Sequence, residues 1–214
     1  MKKQKNICTL HIIKGKVIMA RDLQELKQEF IDLFQKNIKR EGNEKLLDYL
    51  SNQSDFFTAP ASGRRHNSFE GGLVEHSINV YNRFKVNIIQ EYGENYQETI
   101  SDESVAIIAL LHDLCKVNTY TVDYRNQKVE GQWIQVPYYA YNNSLPYGHG
   151  EKSVYIISGF MRLTREEAMA INWHMGGFDP RAQVGSDLSE AFSRFPIALL
   201  LHVADLEASY LDEK

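Results

Sequence analysis

The chain has 214 residues, 43% of them hydrophobic and 24% charged, with only five prolines. At roughly 150 residues per domain this predicts one globular body and excludes disordered, collagen-like and low-complexity classes. The net charge of −4 argues against a protein built mainly to coat nucleic acid, which needs many Lys and Arg contacts to phosphate.

The chain opens on Lys2, Lys3, Lys5, Lys14 and Lys16 ahead of its first acid, Asp22. This arm reads as a solvated, partly frayed terminus, and no small-residue cleavage site marks it as a secretion signal. Leu23, Leu26, Phe30, Leu33 and Phe34 recur at helical spacing within 21–40, which predicts an amphipathic helix stopped by Gly42. Asn43 is placed to cap a second helix carrying Leu46, Leu47 and Leu50, and 54–63 has the Pro, Gly and Ser content of a loop. A third helix is predicted over about 70–92, where Leu73, Val74, Ile78, Tyr81, Phe84, Ile88 and Ile89 share one broad face.

Ser101 followed by Asp102 and Glu103 predicts a capped helix start. The segment that follows, VAIIALLHDLCKV, is apolar nearly all round and should be the central buried helix. Between 120 and 141 the period shifts to alternation rich in Tyr, Val, Thr and Trp. A β-hairpin is expected there, with turn-formers near 125–127 and 130–131. Helices resume over 151–161 and again after Thr164, whose spacing to Glu167 is that of a capping box. The last helix begins near Pro196, a residue suited to a first turn. The expected fold is mostly α, a helical bundle with a small inserted β-hairpin. Residues 1–63 form an arm and helices packed on the core, and 64–214 the main body.

Cys8 and Cys115 form no CxxC pair and are too few for a disulfide framework, so both read as bystander thiols of a reducing compartment. No stretch approaches the roughly 18 apolar residues of a membrane helix. A cytoplasmic protein with no membrane partner is expected.

The placement of the histidines carries the chemistry. His112 stands beside Asp113 inside an apolar run, and Asp205 interrupts a second apolar helix. A carboxylate in such a setting is costly unless something offsets its charge. Either an ordinary Asp–Lys or Asp–Arg pair does so, or a cation on which several helices converge. His76 in EGGLVEHS, the doublet in ALLHDLCKV with Lys116 three residues after Asp113, and Asp205 in LLLHVADLEA follow in order. This set resembles the H…HD…D signature of the HD superfamily of metal-dependent phosphohydrolases, over roughly 64–210. His149 in LPYGHGEKS and His174 in INWHMGG extend the likeness to the H…HD…H…H…D subset. EGGLVEHS and GHGEKS look closest to the HD domains of bacterial 3′–5′ exoribonucleases and of small stand-alone HD hydrolases.

The resemblance implies that His76, His112, Asp113 and Asp205 hold one divalent transition-metal ion while His149 and His174 hold a second, with Asp113 bridging. A single-ion site, as in the family's deoxynucleotidases, is the fallback. Imidazole and carboxylate ligands suit Mn, Fe, Co, Ni or Zn. The implied reaction is hydrolysis of a phosphoester in a nucleotide or short oligonucleotide by a metal-activated hydroxide, with Asp113 and Lys116 in the catalytic machinery. Arg64, Arg65, His66, Lys116 and Tyr147 are the candidate substrate contacts. Against these stand plainer readings: exposed loop charges for Arg64 and Arg65, a last-turn lysine for Lys116, a satisfied core histidine for His202, and packing for the aromatic residues of the hairpin region. Two other functions share the likeness, an HD-fold di-iron oxygenase such as inositol oxygenase and a non-catalytic nucleotide-binding regulatory module. The oligomeric state is not readable from the sequence.

Overall fold

The computed structural model describes residues 10–13, 16–19, 21–129 and 131–213, the first two segments through their backbone. Two short strands, β1 (Leu10–Ile13) and β2 (Lys16–Met19), pair antiparallel. The expectation of a frayed arm is corrected there, the β-branched runs LHII and KVIM supplying the strand preference. Its first residues, including Lys2, Lys3 and Lys5, lie outside the described residues.

Helix α1 (Leu23–Asn37) is capped by the Asp22 carboxylate, which accepts from the backbone N–H groups of Gln24 and Glu25. It buries Leu26, Phe30 and Phe34. The next helix, α2 (Asn43–Asp48), starts one residue earlier than expected, because Gly42 rather than Asn43 takes the cap position at φ +92°. Only a glycine fits, since a Cβ there would stand 1.9 Å from the Phe160 carbonyl oxygen. Asn43 instead lies in the first turn and donates back to the Ile38 carbonyl.

Helix α3 (Gly72–Tyr92) buries the predicted face together with His76. Helix α4 (Asp102–Leu111) carries the Ser101 cap and is buried from Val105 to Leu111. It ends one residue before His112, so the His112–Asp113 doublet occupies the turn at the helix C-terminus and not its interior.

The hairpin joins β3 (Tyr120–Val129) to β4 (Gln132–Tyr141) in the register Tyr120↔Tyr141 to Val129↔Gln132. The chain turns at Gly131 (φ +84°), and Arg125–Gln127 is strand interior. Most of the hairpin is exposed, Trp133 at 71%, so the packing reading does not hold for its outer aromatic residues.

Helix α5 (His149–Ser158) begins at the histidine itself. Helix α6 (Arg165–Trp173) has the Thr164–Glu167 capping box and His174 as its C-cap. A short helix that the sequence reading lacked, α7 (Asp187–Arg194), precedes α8 (Pro196–Glu207). Helices α3, α4, α6 and α8 pack on one another, with α1 against α3 and α4 and α5 against α6. One continuous buried cluster runs from Leu26 to Ala208. The protein is thus mostly helical, with the β3–β4 hairpin and the short β1–β2 pair as its described strands, and among the described residues no helix is long and apolar enough to cross a membrane.

Candidate metal centre

The ends of three helices, the second turn of α3 and the last turns of α8 meet at one buried point. His112 and His174 reach it by the same local device. Each follows the last residue of its helix, and each ring Nδ1 lies on the carbonyl three residues back, 2.8 Å from Ala109 O and 2.7 Å from Ile171 O. A carbonyl only accepts, so Nδ1 carries the proton, and in the neutral ring Nε2 presents its lone pair. Both Nε2 atoms are buried and have no hydrogen-bond partner.

His76 is held from the other side. Its Nδ1 lies 3.0 and 3.1 Å from the two carboxylate oxygens of Glu213, which also accepts from Asn79 at 3.0 Å. His76 Nε2 points inward, 3.2 Å from Asp205 Oδ1 and 3.4 Å from Asp113 Oδ2, in hydrogen-bonding geometry with neither. Three buried imidazole nitrogens without partners are exceptional in a native interior, where such atoms are almost always satisfied.

Asp113 stands at the middle, and its two oxygens face different histidines. Oδ2 is 3.4 Å from both His76 Nε2 and His112 Nε2. Oδ1 is 2.8 Å from His149 Nε2 and 3.5 Å from His174 Nε2. Lys116 Nζ sits 2.5 Å from Oδ2, so the ordinary ion pair does exist at Asp113, but it leaves the inward imidazoles unsatisfied. Donor atoms close enough to share an ion occur in His76–His112–Asp205, His112–Asp113–His174, Asp113–Cys115–His149 and His66–His76–Glu213. These groups could hold a metal ion. All six residues named as ligands converge, although His149 is grouped with Cys115 while His174 is grouped with His112.

The electrostatics of the point have one sense. Burial alone would raise the Asp113 carboxyl, but the Lys116 ammonium and the histidines around it hold it well below the usual range. Burial opposes the charged form of His149, yet Cys115 and the Asp113 carboxylate bring it up to about 9. His76 is likewise raised by Glu213, Asp113 and Asp205 against its burial. The clustered acids draw positive charge inward, as a cation site must.

The point opens into a cleft of about 840 Å³, whose walls include Arg64, Arg65, His66, Lys116, Tyr120 and Tyr210. His66 is mostly buried, and burial together with the nearby charges of His76 and Lys116 lowers it to about 4. Arg64 and Arg65 are exposed at the rim. Tyr147 is a correction: its ring stacks on Tyr155 at 5.0 Å between centroids and it does not line the cleft. The Pro146–Tyr147 segment turns toward the outer face of α5 before His149 enters the site. His202 is satisfied, with Nδ1 2.7 Å from the His174 carbonyl oxygen, as its plain reading had it.

Sequence reasoning passed over two residues. Glu213 is 137 positions from His76 and follows the last helix, so no local pattern announces it. Cys115 is no bystander, since its Sγ lies 3.3 Å from His149 Nε2 and 3.8 Å from Asp113 Oδ1. The sign that could have found it is its place two residues after Asp113. The chain matches no protein-family model, no curated protein and no solved structure, so the site rests on its own geometry and on the motif likeness.

Proposed function

We propose that the protein is a metal-dependent phosphohydrolase of the HD type, acting on a phosphoester of a nucleotide or short oligonucleotide. The observation that carries this reading is the trio of buried, unpartnered Nε2 atoms of His76, His112 and His174, each ring held through its Nδ1, around a carboxylate whose two oxygens face different histidines. His76, His112 and Asp205 would hold one divalent ion, and His149 and His174 a second, with Asp113 shared between them. Such ions supply a water whose pKa is lowered toward neutrality and positive charge for phosphoryl oxygens. Mn, Fe, Co, Ni and Zn suit these ligands.

The chain's own groups account for the rest. Arg64 and Arg65 at the rim attract an anionic substrate although the chain as a whole carries a net charge of −4, and guanidinium forks match phosphate oxygens. Lys116, now on Asp113, is within reach of a phosphate at the same point and would exchange one anionic partner for another. The neutral His66 imidazole can donate to or accept from the substrate without adding repulsion. Tyr120, in the cleft wall, is the aromatic side chain of the hairpin placed to meet a base.

Elemental analysis of the purified protein, paired with a panel of phosphomonoesters and phosphodiesters under added Mn, Co, Ni and Fe, tests the proposal. Wild type should bind divalent metal and cleave at least one member, and Asp113→Ala should lose both properties. Full activity in Asp113→Ala would refute it. Oxygen consumption by an iron-loaded protein that leaves every phosphoester intact would refute it in favour of oxygenase chemistry.

A further inference from the structure

One buried nucleophilic side chain at the centre has no role in the reading above. Cys115 lies in the turn after Asp113, 4% exposed, and its backbone N–H donates to Ser153 Oγ at 3.0 Å. Ser153 and His149 are four residues apart on α5 and therefore share a face. One helix thus pins the cysteine backbone and delivers the imidazole that its sulfur meets.

We propose that Cys115 Sγ, Asp113 Oδ1 and His149 Nε2 form a sulfur-containing metal position that makes this half of the centre selective for thiophilic ions of the zinc type over Mg and Mn. The inference rests on the metal-centre reading and adds to it a ligand and a selectivity. The geometry supports it quantitatively. Bonds of about 2.3 Å to sulfur and about 2.0–2.1 Å to nitrogen and oxygen, at tetrahedral angles, place donors about 3.3–3.6 Å apart. The three separations here are 3.3 Å (S to N), 2.8 Å (N to O) and 3.8 Å (S to O). Each lies within about 0.6 Å of that range, so small side-chain rotations complete the triangle.

A cysteine used only as an apolar filler would turn its sulfur to carbon atoms; this one faces a ring nitrogen and a carboxylate. His174 Nε2, buried, unpartnered and 3.5 Å from the same Asp113 oxygen, is the further donor at hand. On binding, the Cys115 thiol and the protonated His149 ring each give a proton to solvent, and the sulfur bonds as thiolate and Nε2 through its lone pair. Thiolate favours zinc, cobalt and cadmium over the harder magnesium and manganese.

The test is cobalt substitution of the full-length protein, stripped of metal and then titrated with Co(II). Wild type should develop an intense near-ultraviolet thiolate-to-cobalt charge-transfer band; Cys115→Ser should lack it, and Cys8→Ser should keep it. In zinc-against-manganese competition the wild type should prefer zinc, and Cys115→Ser should narrow that preference by about tenfold or more. The wild-type measurements need no variant to fold. Cobalt bound without the band, a band that survives in Cys115→Ser, or an unchanged preference overturns the sulfur ligand while leaving the metal centre standing. Failure to bind any cobalt overturns both. A band in a protein that cleaves no phosphoester upholds the sulfur ligand and removes the hydrolase reading.

Discussion

Glu213 offers a sharp test of how the centre is held, because it is remote from the motif and touches it through one atom. Its side chain is almost wholly buried and its two oxygens are the partners of His76 Nδ1. Glu213→Ala removes the acceptor from a ring that is itself fully buried. An unsatisfied buried N–H costs about 1–3 kcal/mol, and a ligand histidine free to turn loses its preset aim. That cost corresponds to about 5- to 150-fold in affinity, overlapping the roughly 10- to 100-fold typical of losing the partner behind a metal-bound histidine. Glu213→Gln keeps one carbonyl acceptor and should lose several-fold less than the alanine variant. Titration of metal-free protein with zinc against a chromophoric chelator reads both variants, with circular dichroism confirming the fold. Affinity of Glu213→Ala within twofold of wild type, alongside a large loss in His76→Ala, would refute the positioning role.

Further predictions concern the frame around the site. Arg40 clamps the fully buried Glu167 through contacts of 2.6 and 2.9 Å, so Arg40→Ala should destabilise by about 3–5 kcal/mol in urea unfolding, the cost of stranding a buried charge; a change below about 1 kcal/mol would contradict this. Hydrogen bonds from Arg40, Thr164 and Ser104 outweigh burial and hold the Glu167 carboxyl below its ordinary 4.5. A depressed carboxyl stabilises fully above its unfolded value and loses that contribution as pH falls through the folded one. Stability should therefore decline below about pH 4.5, with a shallower acid limb in Glu167→Gln, as followed by thermal midpoints. At Gly150 a Cβ would stand 2.2 Å from the Asn172 carbonyl oxygen. Gly150→Ala should push α5 from α6, lower stability by about 1–3 kcal/mol and weaken metal binding by parting His149 from His174; an unmoved melting temperature would contradict it.

What the sequence made legible follows from the range of each interaction. The Ser101 and Thr164 caps, the Pro196 start and the hairpin are local devices, and the structure has them where the spacing put them. Helix α7 escaped because eight residues carry only two turns of pattern. Asn43 lost the cap position because the close approach of Phe160, more than a hundred residues away, requires a glycine beside it. Within the site, Asp113 beside His112 and Asp205 stand out as acids in apolar runs, while His76, His149 and His174 were legible through the motif likeness. Glu213 and the carbonyls that fix the imidazole tautomers do not, since they are read only once the chain is folded. Cys115 was legible in position but not in direction, and Tyr147 sat near a candidate ligand in sequence while its ring turned to Tyr155.

The central claim is that these helices present convergent imidazole and carboxylate donors to cations. Crystals grown with zinc or manganese and measured at the metal absorption edge address it most directly. Anomalous peaks on the two sides of the Asp113 carboxylate, one toward His76 and His112 and one toward His149, with Lys116 displaced from Asp113, are predicted. Density with no anomalous peak, and Lys116 still paired to Asp113, would contradict the account.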